Sequence, residues 1–175
     1  MKPNRLAATA LAATALAVAA GAAELEDRSL ALPADYRTAF DNYLISDRVG
    51  QEDQVISLYA NAIAREAARA DGTLPSGSVI VGEIYAARMD ADGAVVESAL
   101  GRRIPETLKA IVVMERRTGW GDQYPEGEKV GGWEFEVFSP AGENLNKDTT
   151  ACRACHEPLT DSEYTFSYEH IAAAN

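Results

Sequence analysis

Five residues constrain this chain more than any others: Cys152-Arg153-Ala154-Cys155-His156. The pattern C-x-x-C-H is the signature of c-type haem attachment. Two thiols separated by two residues lie on one turn of chain, where both sulfurs can reach the vinyl groups along one edge of the ring. The adjacent histidine then comes up beneath the iron as its proximal ligand. The chain has two cysteines and two histidines in total. Zinc would need four ligands, and only His170 remains outside the motif. A disulfide is the default use of a cysteine pair in an exported protein, and the histidine that follows Cys155 argues against it here. The motif predicts one covalently bound haem c, held through Cys152 and Cys155, with His156 as the iron ligand.

The other end of the chain agrees with that chemistry. Lys2 and Arg5 precede an apolar run from Leu6 to Ala20 and then Gly21-Ala22-Ala23, the layout of a secretory signal peptide cleaved near Ala22 or Ala23. Bacterial c-type haems are assembled on the exported side of the membrane, so a periplasmic location is expected. Residues 1–23 are read as the signal and 24–175 as a single domain, about 150 residues being room for one core. No later stretch is long and apolar enough to cross a membrane. The net charge of -11 becomes more acidic once two signal bases are gone. An acidic surface disfavours nucleic acid and suits docking to a basic redox partner.

Along the mature part, Tyr36, Phe40, Tyr43 and Leu44 follow helical spacing and predict a helix from Pro33 to Leu44. A second is expected from about Asp53 to Ala70, with Val55, Ile56, Leu58, Tyr59, Ile63 and Ala67 inward and Arg65, Glu66 and Arg69 outward. Asp71-Gly72 should stop it. From Ser78 to Arg88 the residues become β-branched and aromatic. Asp92-Gly93 reads as a hairpin turn into Ala94 to Glu97, and further strands are expected over Ala110 to Arg116 and Trp133 to Phe138. After Pro140 periodicity is lost until the haem motif, which should open a short helical turn. This order predicts an α+β fold: a mostly antiparallel sheet, two N-terminal helices and a C-terminal haem-attachment segment.

Several of these segments together resemble the cytochrome P-460 family, which includes the cytochromes c′-beta. The residues that carry the resemblance are Tyr59-Ala60-Asn61, Gly77-Ser78-Val79-Ile80-Val81, Val113-Met114-Glu115, Gly119-Trp120-Gly121, Gly132-Trp133-Glu134-Phe135 and Cys152 to His156. The resemblance implies a β-rich homodimer with haem against an antiparallel sheet. One branch of such proteins carries a lysine cross-linked to the haem edge and oxidises hydroxylamine; another lacks it and binds nitric oxide or similar ligands in an apolar pocket. The cross-linking lysine belongs on the strand after the second predicted helix, and Ser78 to Arg88 contains none. Arg88 is not an equivalent nucleophile, because a guanidinium stays protonated. Lys109, Lys129 and Lys147 read as solvated surface residues.

Alternation along that strand places Ile80, Gly82, Ile84 and Ala86 on one face and Val79, Val81, Glu83 and Tyr85 on the other, without indicating which one sees haem. Glu115 and Arg88 are the charged candidates for a distal catalytic site, weighed against a strand-edge ion pair exposed to water. Met114 or Met89 could supply a sixth iron ligand, although a methionine in such a run is more often core. Trp120, Trp133, Phe135 and Phe138 are equally good as haem wall or core. Three functions stay open. The leading one is a cytochrome that binds small gaseous or nitrogenous ligands such as nitric oxide at five-coordinate iron. The others are a hydroxylamine- or nitric oxide-oxidising enzyme and a six-coordinate electron carrier.

Overall fold

The structure, a computed structural model, describes residues 29–174. The expected signal segment, residues 1–23, lies outside them. The helix α1 (Tyr36–Ala39) leads into a hairpin of β1 (Asp41–Asp47) and β2 (Gln54–Ala60), followed by α2 (Ala62–Arg69). Then come β3 (Val79–Ala87), β4 (Pro105–Arg116), β5 (Trp133–Phe138), α3 (Thr150–His156), a short 3-10 turn over Thr160–Ser162, and α4 (Tyr168–Ala173). The strands form one antiparallel sheet in sequential order, β1-β2-β3-β4-β5. The α+β class and the mostly antiparallel sheet are as expected.

The two N-terminal helices are shorter than their predicted extents. Tyr43 and Leu44 lie on β1, and Val55 to Tyr59 lie on β2, not on helices. A short apolar run fits either period, and here pairing with β3 decides: Ile56 opposes Ile84, and Leu58 opposes Gly82. Asn61 marks the change from strand to helix. Its side-chain oxygen accepts from the Ala64 N–H at 3.0 Å as an N-cap, while its amide nitrogen donates to the Gly77 carbonyl at 2.8 Å. The orientation of α2 also differs from expectation. Ile63 is exposed and Arg65 is buried, because Ala64 and Ala68 form the face packed near α4. Arg65 reaches the Ala174 carbonyl at 2.6 Å and pairs with Asp41 at 2.9 Å. Asp71-Gly72 stops the helix as predicted, with Asp71 at φ 53°.

The turn at Asp92-Gly93 forms, with the Asp90 carboxylate accepting from the N–H groups of Asp92 and Ala94, both at 2.9 Å. Beyond it, Ala94 to Glu97 makes isolated bridges and no regular strand. The β4 strand starts at Pro105, earlier than the expected Ala110, and β5 has the predicted bounds.

Each sheet face has its own core. One holds Val81, Ile111, Val113 and Phe138 under the Leu30 to Phe40 segment, together with Trp120. The other holds Ile80, Met114, Trp133 and Phe135 against α2 and α4, with Cys152 and Tyr164 alongside. On this second face Ile56, Leu58 and Val112 close over Gly82. A Cβ there would stand 2.9 Å from Val112 Cγ2 and 3.2 Å from both Ile56 Cδ1 and Leu58 Cδ2. Gly82→Ala is therefore expected to destabilise the protein by about 1–3 kcal/mol through overpacking. Urea unfolding of the two proteins measures it, and an unchanged midpoint would contradict this packing.

Candidate functional site

The haem motif occupies the last five residues of α3, so it closes a helix and does not open one. Cys152 and Cys155 are three residues apart and share a helix face. Neither thiol is bridged; Cys152 is half-buried and Cys155 exposed. Burial pushes the Cys152 thiol above its ordinary range, opposed by the nearby Arg153 and Arg48 charges.

Arg153, an unconstrained position within the motif, anchors the helix. It is buried beside the strand residue Glu134, its Nη1 3.4 Å from that carboxylate and 3.0 Å from Thr149 Oγ1. Its guanidinium carbon stacks 3.9 Å from the centre of the Tyr124 ring, and Tyr124 donates to Glu134 at 3.0 Å. Buried charges of this kind need such partners.

His156 stands between two aromatic rings. Phe135 lies 5.1 Å away between centroids and Phe166 5.2 Å away, the latter edge-on. The imidazole Nδ1 is 2.7 Å from the Tyr164 carbonyl oxygen. A carbonyl can only accept, so Nδ1 carries the proton and the Nε2 lone pair is available for a metal. Burial holds the imidazole below its usual basicity, against the Tyr164 hydrogen bond that raises it. The outcome is a neutral, oriented imidazole suited to ligate a metal. Two thiols on one helix face, a histidine with its Nε2 lone pair available and flanking phenylalanines together fit a haem.

The aromatic neighbour also tells the faces of the sheet apart. Phe135 opposes Met114, which opposes Ile80. His156 is therefore on the side of Ile80, Gly82, Ile84 and Ala86. Across the neighbouring strands this face continues through Ile56, Leu58, Ala110, Val112 and Val137. Several of these are only half-buried, leaving apolar surface open on this face.

Glu115 alternates to the other face from Met114 and accepts from Arg117 Nε at 2.6 Å. Arg88 follows β3, is half-exposed, and lies 3.6 Å from Glu106. The structure brings neither of these candidates together with His156. Met114 is buried in the core with Trp133, and Met89 is exposed in the bridge to Val95. Of the four aromatic candidates, Phe135 is the one beside His156; Trp133 is fully buried core, and Trp120 and Phe138 belong to the opposite cluster. The residues that sequence reasoning misses are Tyr164, Phe166 and Arg153. The aromatic pair around Thr165, shortly after the motif, is the available signal for the first two.

A comparison with curated proteins found no match. The family model for cytochrome P460 matches residues 33–167, a span that takes in all five strands and the whole C-x-x-C-H helix. With a sheet, a motif and an oriented histidine that suit the cofactor this family implies, the chain belongs to the cytochrome P460 family and is a haem cytochrome.

Proposed function

We propose that the protein is an exported mono-haem c-type cytochrome that binds a small ligand such as nitric oxide at iron held by His156 Nε2, with thioethers from Cys152 and Cys155. Bound haem supplies an iron whose open side takes diatomic ligands. The observation that carries the reading is the apolar character of the sheet face beside His156. Along β3 and β4 that face runs through Ile80, Gly82, Ile84, Ala86, Ala110, Val112 and Met114, and the charge that follows Met114 on the same side, Arg116, is paired with Glu163. The apolar side chains of this face are not proton acceptors for a hydroxylamine-type oxidation, and the Glu163 carboxylate is committed to Arg116. Two strand carboxylates are deeply buried, and both alternate to the opposite face: Glu83 is held by Tyr36 at 2.6 Å and Tyr85 at 2.8 Å, and Glu134 by Tyr124 at 3.0 Å and Arg153 at 3.4 Å. Strand β3 also has no lysine to cross-link. Met114 is packed in the core, which favours five-coordinate iron over an electron carrier with a methionine ligand. Residues 1–23 carry the export reading, and a periplasmic homodimer is the assembly we attach to it.

Optical spectra of the reduced holoprotein, before and after nitric oxide, test this function. A broad high-spin spectrum that changes on addition is the expected result. Sharp low-spin bands indifferent to the gas would replace ligand binding by electron transfer. A strongly red-shifted main band would signal a haem cross-link and favour the oxidising enzyme.

A further inference from the structure

Glu163 and Tyr164 are consecutive non-glycine residues in the left-handed region, at φ 54° and 60°. A side chain disfavours that conformation, so surrounding contacts must hold it. Here one cross-strand pair grips Glu163 at both ends. Arg116 and Trp133 oppose each other on β4 and β5. Arg116 Nη1 pairs with the Glu163 carboxylate at 2.5 Å, and the Trp133 indole donates to the Glu163 carbonyl at 3.1 Å. The same peptide is fixed from its other side, since the Tyr164 N–H donates to the Leu159 carbonyl at 2.7 Å. The Tyr164 ring lies over Gly131, so closely that no Cβ fits there. What this strap presents is the Tyr164 carbonyl, the acceptor for His156 Nδ1.

We infer that Arg116 is a positioning residue for the iron ligand: through Glu163 it holds the strained Tyr164 carbonyl on His156 Nδ1 and so sets the donor strength of Nε2. The inference rests on His156 being the iron ligand. A carbonyl that accepts from Nδ1–H raises the basicity of the other ring nitrogen and strengthens its bond to a metal. Arg116 is well placed to act as a fixed anchor. Its own N–H donates to the Ser78 carbonyl at 2.9 Å, and its carbonyl accepts from Gly77 at 2.7 Å, so its backbone is locked into the sheet. Without the ion pair, Glu163 and Tyr164 relax toward ordinary backbone angles and the carbonyl turns away from the imidazole.

Resonance Raman of the reduced holoprotein reads the iron–imidazole stretching band directly. In Arg116→Met and Glu163→Gln the band is expected at lower frequency than in wild type, with the reduction potential raised in parallel. Arg116→Lys, which keeps the charge, should return it toward the wild-type position. A purely structural role would lower the melting temperature and leave the band where it is. An unshifted band in haem-loaded Arg116→Met overturns the inference; if that variant does not fold, an unshifted band in Glu163→Gln overturns it equally. Loss of the parent reading looks different: a wild-type iron–imidazole band that persists in His156→Gly would remove His156 as ligand, and with it any role for Arg116.

Discussion

Replacing Glu83 by alanine is expected to cost about 2–4 kcal/mol of stability, from an unsatisfied buried hydroxyl and a cavity together. Glu83 is 2% exposed on β3, yet its carboxylate gathers four donors. Tyr36 and Arg37 reach Oε1 at 2.6 Å, Tyr85 reaches Oε2 at 2.8 Å, and Tyr59 reaches it at 3.2 Å. Tyr36 is itself buried, so its hydroxyl loses its partner with the least access to solvent in Glu83→Ala, whereas Tyr59, Tyr85 and Arg37 are exposed enough to recover it. Burial alone would push this carboxyl up; the hydrogen bonds from Tyr36, Tyr85 and Arg37 outweigh it and hold the group below the usual carboxylate range. A folded value lowered in this way contributes stability above the unfolded carboxylate range, and that contribution disappears as pH falls through the folded value. Glu83→Gln should therefore be less stable than wild type at neutral pH and approach it in acid. At the alkaline end, burial and the Glu83 carboxylate push Tyr85 up to about 12, so stability declines once pH passes the ordinary tyrosine value of 10.0. Chemical denaturation of both proteins across pH measures the difference, and parallel curves would show that the cluster is not coupled to folding.

That cluster shows where sequence reasoning reaches and where it stops. Strict alternation places Glu83 with Val79, Val81 and Tyr85, because the strand period of two needs no tertiary information. Its partners Tyr36 and Arg37 come from a segment 47 and 46 residues away, brought over the sheet by the packing of Leu30 and Phe40. Charge on a strand reads as a solvated edge from local pattern alone, and here the pattern is overridden by that overlay. The same limit explains β1 and β2. Tyr36, Phe40, Tyr43 and Leu44 satisfy a helical period, but the hairpin pairing of Leu44 with Leu58, and the pairing of Leu58 with Gly82 across α2, settle the matter over a longer range. Helical periodicity puts Arg65 in water for a similar reason: the carbonyl it reaches, Ala174, is 109 residues distant.

At the candidate site the division falls differently. Cys152, Cys155 and His156 are legible because their chemistry demands a fixed spacing, which a sequence displays directly. The surroundings of His156 have no such demand. Tyr164 contributes a backbone carbonyl, which every residue has, and its left-handed conformation has no residue signature when the position is not glycine. Phe135 could be named as an aromatic on β5, but its distinction from Phe138 depends on which sheet face α3 covers. Arg153 sits at a position that the motif leaves free, so only Glu134 and Tyr124 around it reveal the anchor.

The variant Cys152→Ala/Cys155→Ala is expected to lose covalent haem completely. In the proposed attachment two thioethers would keep the cofactor at its site as part of the chain, making retention unimolecular; with both sulfurs gone, it would depend on free haem concentration and on His156 alone. Each single variant should retain one linkage. Cys155 is exposed, so Cys155→Ala changes the attachment with little effect on packing. Cys152 packs against the cluster of Ala60, Ile80 and Trp133, so Cys152→Ala should also lower the stability of α3 on the sheet. Denaturing gels stained for haem, with extraction into acidified organic solvent, separate these cases. Wild type and both single variants keep stain on the polypeptide, and the double variant releases all pigment to the solvent. Stain that persists in the double variant would place a covalent bond elsewhere on the chain, with Lys109, Lys129 and Lys147 the first amines to replace, and would reopen the cross-linked chemistry that the lysine-free β3 argues against.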